Sequence, residues 1–72
     1  MMIPKKMPIW VVYDSPIDFP DGIIARKFNM DKATGEYVTG ETIQEVRNKI
    51  PKGFARMDRH PDDDANIVEV WI

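Results

Sequence analysis

The sequence has no cysteine, only one histidine, and no apolar run long enough to cross a membrane. Without cysteine it can form neither a disulfide nor a thiolate metal site, which fits a reducing compartment. The first apolar run, residues 7–13, contains a proline and is far shorter than the roughly 20 residues of a spanning helix. No small-residue cleavage site follows this run, so we predict no signal peptide and a cytoplasmic protein with no membrane contact.

A strong charge of one sign is also missing, since 12 acidic and 10 basic residues leave a formal net charge of −2. This balance disfavours a protein that coats nucleic acid through bulk positive charge. Hydrophobic residues make up 43% of the 72 residues, too many for a disordered chain. The length predicts a single domain over 1–72, with 1–8 as a loose arm because it holds two prolines.

One short helix is the best-defined element, and it has a signal at each end. Thr42 and Glu45 have the spacing of a capping box, which predicts that the helix begins after Thr42. Pro51 disfavours helical geometry at Ile50 and therefore ends the helix there. Its predicted apolar stripe consists of Ile43, Val46 and Ile50. A helix of two turns is not stable alone in water, so this one must pack on an apolar surface.

Runs of β-branched and aromatic residues on both sides of the helix predict strands. The predicted strands are 9–13, 22–30, 36–38, 54–57 and 67–72. Residues 31–35 have turn chemistry, and Gly35 can adopt a positive φ. Because short connections favour antiparallel neighbours, the order β-β-β-α-β-β predicts an α+β fold. We expect a single antiparallel sheet of four to five strands with one short helix packed on one face.

The stretch most similar to a metal site is 58–64, where three consecutive aspartates follow the only histidine, His60. It lacks the glycine and the closing glutamate of a calcium loop, and runs of like charge usually lie solvated in turns. We therefore predict no metal site, while the possibility that Asp62–Asp64 binds a cation stays open. His60 has no partner hydroxyl in a recognisable triad, and no glycine-rich phosphate loop is present. We predict no catalytic residues and no cofactor, and hence no enzyme.

Side chains alternate along a strand, so the last strand divides its residues between two faces. One face holds Val68, Val70 and Ile72, and the other holds Ile67, Glu69 and Trp71. One short helix covers only one face, and the charge of Glu69 favours its face as the uncovered one. The expected uncovered face consists of Trp10, Arg26, Phe28, Arg56, Ile67, Glu69 and Trp71.

A face of aromatic and arginine side chains is typical of protein interfaces, so we predict self-association or a protein partner. A chain this short buries only about 60% of its unfolded surface and gains stability from further burial. Two alternatives remain open. The N-terminal arm and loop 14–21 could close over the face, so that no partner is needed. The aromatic residues could instead stack the bases of single-stranded nucleic acid while the basic residues of 47–59 contact phosphates.

The sequence resembles a group of short uncharacterised bacterial and phage proteins over nearly its whole length. The matching strings are WVVYDSP at 10–16, DFP at 18–20, AR at 25–26, PKG at 51–53, Arg59, DD at 63–64 and IVEVW at 67–71. This resemblance implies no activity. A second resemblance is limited to 36–50, where YVTGETIQEV at 37–46 is similar to the strand–helix junction of HicB-like antitoxins. That resemblance implies a small β-β-β-α-β domain that occupies a toxin.

Overall fold

The computed structural model describes residues 8–29, 32–58 and 65–72, which contain five strands and one helix. The elements are β1 Pro8–Asp14, β2 Ile23–Asn29, β3 Lys32–Gly40, α1 Ile43–Lys49, β4 Arg56–Asp58 and β5 Ile67–Trp71. The strands form one antiparallel sheet in the order β3-β2-β1-β5-β4. The predicted α+β fold, with a single antiparallel sheet and one short helix, is therefore confirmed.

The two ends of α1 have the chemistry that the sequence predicts. The Oγ1 atom of Thr42 accepts a hydrogen bond from the backbone N–H of Glu45 at 3.1 Å. The Glu45 carboxylate in turn accepts from the backbone N–H of Glu41 at 3.0 Å. At Ile50 the backbone is extended, with a ψ of 132°, and Pro51 follows. Local hydrogen bonds therefore define where this helix begins and ends.

We expect Thr42→Ala to lower the free energy of unfolding by about 1 kcal/mol, because it removes the acceptor at the helix N-terminus. Chemical denaturation followed by circular dichroism measures this loss. Thr42→Ser is the matched control, since it keeps the hydroxyl and should unfold at nearly the wild-type midpoint. An alanine variant with an unchanged midpoint would show that the cap does not stabilise α1.

The apolar stripe of α1 packs on one side of the sheet, over β2 and β3. Val46 is fully buried, and Ile50 is buried beside it. The sheet contributes Trp10, Val12, Ile23 and Ala25 to the same core. The side of the sheet that carries these four residues is called the helix face here. The opposite side, which carries Val11, Tyr13, Ile24 and Arg26, is called the far face.

β3 is longer than the predicted strand 36–38, because it already begins at Lys32. The Oγ1 atom of Thr34 donates to the backbone carbonyl of Lys27 at 3.2 Å and so holds the chain on β2. The ladder between β2 and β3 is irregular there, and Gly35 has the predicted positive φ, at 89°. Residues with turn chemistry therefore extend the strand instead of ending it.

The other predicted bounds differ by a few residues. Pro8 is already part of β1, so the predicted arm is shorter than 1–8. β4 begins at Arg56 and not at Phe54, although Ala55 already exchanges two backbone hydrogen bonds with Ile72. The remainder of the predicted arm, 1–7, and most of the acidic stretch, 59–64, lie outside the described residues.

Candidate interaction surfaces

Glu69 is a buried charge on the helix face of β5. It pairs with Val12 across β1 and β5, and it is only 1% exposed. Arg47 of α1 donates to both carboxylate oxygens, from Nε at 3.0 Å and from Nη2 at 2.7 Å. The indole Nε1 of Trp71 donates to the same carboxylate at 2.8 Å. This bidentate ion pair with one further hydrogen bond supplies the partners that a buried carboxylate requires.

The prediction that Glu69 and Trp71 lie on the uncovered face is therefore wrong. It assumed that a charged residue stays in water, whereas Arg47 reaches across from α1 and neutralises Glu69. The ladder between β1 and β5 also shifts register between Val12 and Tyr13, which disturbs the alternation of β5. As a result, Val68 and Trp71 both pack against the same core.

Sequence reasoning missed Arg47. The available signal was a lone glutamate in an otherwise apolar strand together with an arginine next to Val46, the central residue of the helix stripe. A glutamate in an apolar strand that is buried on both faces needs a cationic partner. The only predicted helix carries Arg47, which could supply it.

The seven residues predicted to form one face are divided between both sides of the sheet. Strand register places Trp10, Arg56, Glu69 and Trp71 on the helix face. The same register places Arg26, Phe28 and Ile67 on the far face. The sheet separates the two groups, so they do not form one surface.

The cluster around Glu69 includes a second arginine. The Nη1 atom of Arg56 lies 3.8 Å from a Glu69 oxygen and donates to Asp58 at 3.0 Å. Burial alone would raise the pKa of Glu69, but hydrogen bonds from Arg47 and Trp71 and the nearby arginine charges hold this pKa below its usual value. The hydrogen bond with Glu69 in turn raises the pKa of Arg47. Glu69 therefore stays ionised, and both of its carboxylate oxygens already accept hydrogen bonds. Such a carboxylate suits a structural contact between β5 and α1 and not a general base.

The far face presents a row of side chains that crosses all five strands. In order along the sheet, the row consists of Tyr37, Arg26, Val11, Val70 and Met57. Val11 in the middle is buried, whereas Tyr37 and Met57 at the two ends are 63% and 51% exposed. Among the described residues α1 is the only helix, and it lies on the opposite side. This set of five residues is called the Tyr37–Met57 row below.

The loop 15–22 covers the part of the far face around Arg26. The guanidinium of Arg26 donates to the Asp18 carboxylate, which lowers the pKa of Asp18. Arg26 also lies 5.1 Å from the ring centroid of Tyr13, a distance suited to a cation–π contact. A Cβ atom at Gly22 would lie 2.8 Å from the Phe19 ring, so this ring packs directly against the loop backbone. The loop thus closes one part of the face and leaves both ends of the row exposed.

A shallow pocket of about 140 Å³ lies on β2 and β3, next to the edge of the sheet. Its lining residues are Arg26, Lys27, Ala33, Gly35, Glu36 and Tyr37. Lys27 and Glu36 pair with each other at 3.2 Å. No atom of the residues that the structure describes lies within 4 Å of the position that a Cβ of Gly35 would take, which leaves space for a side chain from another molecule.

Within the described ranges, no group of three or more acidic or histidine residues is placed to hold a metal ion. The same part of the chain has no helix that is long and apolar enough to cross a membrane. His60 and Asp62–Asp64 lie outside the described residues, so their predicted role as a solvated turn stays a prediction. Comparison of the chain with protein-family models, curated proteins and solved structures gives no match.

Proposed function

We propose that this chain is a small cytoplasmic protein-binding module whose far face docks on an apolar surface of a partner protein. The observation that carries the proposal is the Tyr37–Met57 row. Tyrosine, methionine and arginine are enriched at protein interfaces, whereas lysine and acidic residues are depleted. The row contains one of each enriched type and two valines, and no lysine or acidic residue. Because Arg26 already donates to the Asp18 carboxylate, its charge is neutralised within the chain, which fits a partner surface that is apolar.

A protein partner fits this face better than single-stranded nucleic acid does. A stacking platform needs cations close to its aromatic side chains, so that bases and phosphates bind together. On the far face Arg26 is the cation of the row, and Asp18 and the Tyr13 ring already contact it. Arg47 and the other basic residues of α1, together with Arg56, lie on the helix side. The sheet therefore separates the exposed Tyr37 ring from Arg47 and Arg56, and Lys27, which lines the same pocket as Tyr37, is paired with Glu36.

The toxin-binding role that the HicB-like residues 37–46 imply is one form of the proposed binding. These residues include the end of β3 and the start of α1, and Tyr37 is also the first residue of the row. The proposal is a binding role and not a catalytic one, since the ionised groups described above are engaged in pairs.

Photo-cross-linking in the cells of origin tests the docking face. A benzoylphenylalanine at position 57 should form an adduct with a specific protein, because Met57 is half exposed at the end of the row. The same residue at position 44 is the control, since Gln44 is exposed on α1. Equal adducts at both positions, or an adduct with nucleic acid at position 57, would contradict the proposal.

With the cross-linked partner purified, we expect Met57→Lys to weaken binding at least tenfold, or about 1.4 kcal/mol. The substitution buries an unpaired ammonium in an otherwise apolar contact. Gln44→Lys adds the same charge on the helix and should leave the affinity unchanged. Titration calorimetry measures both, with thermal unfolding of each variant as the check on folding. Equal affinities for the two variants would show that the far face does not contact the partner.

A further inference from the structure

We propose that two copies of this chain pair edge to edge through β3, antiparallel and about a two-fold axis at Tyr37. The two five-stranded sheets then form one continuous sheet. This pairing uses the backbone and the Tyr37 ring at the edge of the sheet, whereas docking on the far face is tested at Met57, at the other end of the row.

The two edges of the sheet differ in their ability to accept another strand. β3 has nine residues without proline, and within the described ranges it pairs on one side only, with β2. β4, as described, has three residues, and its Arg56 and Asp58 form an ion pair with each other. Short, charged edges resist pairing, whereas long free edges are templates for another strand. Since β3 can join β3 of a second copy but not β4, the association is two-fold and closes as a dimer.

Backbone groups of β3 point outward at the required positions. The carbonyl oxygen of Thr39 accepts a hydrogen bond from Lys49 Nζ at 2.7 Å. Thr39 lies opposite Ile24, whose backbone groups turn to β1, so the backbone groups of Thr39 turn away from β2. Alternate residues of an edge strand turn their N–H and C=O groups to the same side. Tyr37, two residues earlier and 63% exposed, therefore turns its backbone groups to the free edge.

Charge selects the register of this pairing. With Tyr37 on the axis, Glu36 lies opposite Val38 of the second copy. The neighbouring Thr39 of that copy holds Lys49, so the Glu36 carboxylate approaches an ammonium group. A register centred on Glu36 would instead place two carboxylates opposite each other, which is unfavourable.

The shape of the edge fits the same register. A Tyr37 ring that lies opposite its counterpart is diagonal to Gly35 of the second copy. At Gly35 a side chain would meet nothing within 4 Å, and the pocket of about 140 Å³ is open there. An aromatic ring that covers an edge glycine is a known way to stabilise cross-strand pairing. The exposed tyrosine and the open pocket are therefore complementary between two copies.

Sedimentation equilibrium over a range of protein and salt concentrations tests this dimer. Wild type should have twice the mass of the chain, whereas Tyr37→Arg and Tyr37→Glu should each be folded monomers, because like charges meet on the axis. An equimolar mixture of these two variants should restore the dimer, since the opposite charges then face each other. Met57→Arg is the matched control at the other end of the row and should stay dimeric. Far-UV circular dichroism verifies that every variant is folded.

A monomeric wild type overturns the proposal, as does a mixture of the two Tyr37 variants that stays monomeric. A dimer that Met57→Arg disrupts and Tyr37→Arg does not would place the contact on the far face instead. Loss of partner binding by Met57→Lys without loss of the dimer supports both proposals. A dimer without any partner adduct at position 57 supports the pairing through β3 and contradicts docking on the far face.

Discussion

Glu69→Lys should leave the chain unfolded under conditions in which the wild type is fully folded. The substitution places an ammonium at a site that is 1% exposed, between Arg47 and Arg56. Breaking a buried ion pair by changing one partner costs about 3–5 kcal/mol. A chain of this size has a total stability near the lower end of about 5–15 kcal/mol.

Far-UV circular dichroism at low temperature and a thermal scan measure this outcome. Glu41→Lys is the control, since it makes the same change at an exposed glutamate outside the sheet. A Glu69→Lys variant with a cooperative transition near that of wild type would show that Glu69 is not buried.

Glu69→Gln isolates the contribution of the charge, and we expect a loss of about 2 kcal/mol at neutral pH. The pKa of Glu69 is lowered in the folded protein, so its ionised form stabilises the fold above the ordinary glutamate pKa of about 4.3. This contribution is lost as the pH falls through the lower, folded pKa. The difference in stability between wild type and Glu69→Gln should therefore shrink below about pH 4. A difference that stays constant with pH would contradict the ionised pair.

The second large effect is expected at Trp71, where Trp71→Ser should lower the free energy of unfolding by about 3 kcal/mol. Trp71 packs against the core on the helix face and donates to Glu69 at 2.8 Å. Loss of the indole therefore removes apolar packing and leaves the Glu69 carboxylate without one of its hydrogen-bond donors. This reverses the expectation from the sequence that Trp71 lies on the uncovered side of the sheet.

Urea denaturation of two further variants separates the causes. Trp71→Phe keeps most of the ring packing and loses only the indole donor, so about 1 kcal/mol is expected. Ile72→Ser is the control at the neighbouring residue, which is 55% exposed, and should be nearly neutral. A Trp71→Ser variant as stable as Ile72→Ser would contradict the packing of Trp71 against the core.

The features that the sequence predicted correctly depend on local chemistry. The capping residues Thr42 and Glu45 and the break at Pro51 act over a few residues, so α1 could be assigned from spacing alone. Strands β1 and β5 could be assigned from their β-branched runs. The same reasoning predicted too short a strand for β3, because the hydrogen bond from the Thr34 side chain to the Lys27 carbonyl depends on the neighbouring strand β2.

The assignment of faces failed because it depends on contacts between residues that are distant in the chain. Whether Glu69 points to water or to the core is decided by Arg47, which lies 22 residues away in the sequence. The register shift beside Val12 has no signal within β5 itself. Of the residues predicted to form one surface, Arg26, Phe28 and Ile67 share the far face, and their role as a binding surface stays a prediction. The prediction was wrong for the four residues that lie on the helix face, which are Trp10, Arg56, Glu69 and Trp71.

The place of β5 between β1 and β4 has a consequence for the order of folding. β1, β2 and β3 are consecutive in the chain and can pair as soon as they are synthesised. β1 can pair with β5 only after the rest of the chain is made, since Tyr13 pairs with Ile67. Closing so long a loop costs chain entropy before its contacts contribute, which slows folding of sheets with distant partners. Until β5 docks, the edge of β1 that pairs with β5 is open. A nascent or partly unfolded chain is therefore most prone to aggregation through its central strand and not through the edge that the folded protein exposes.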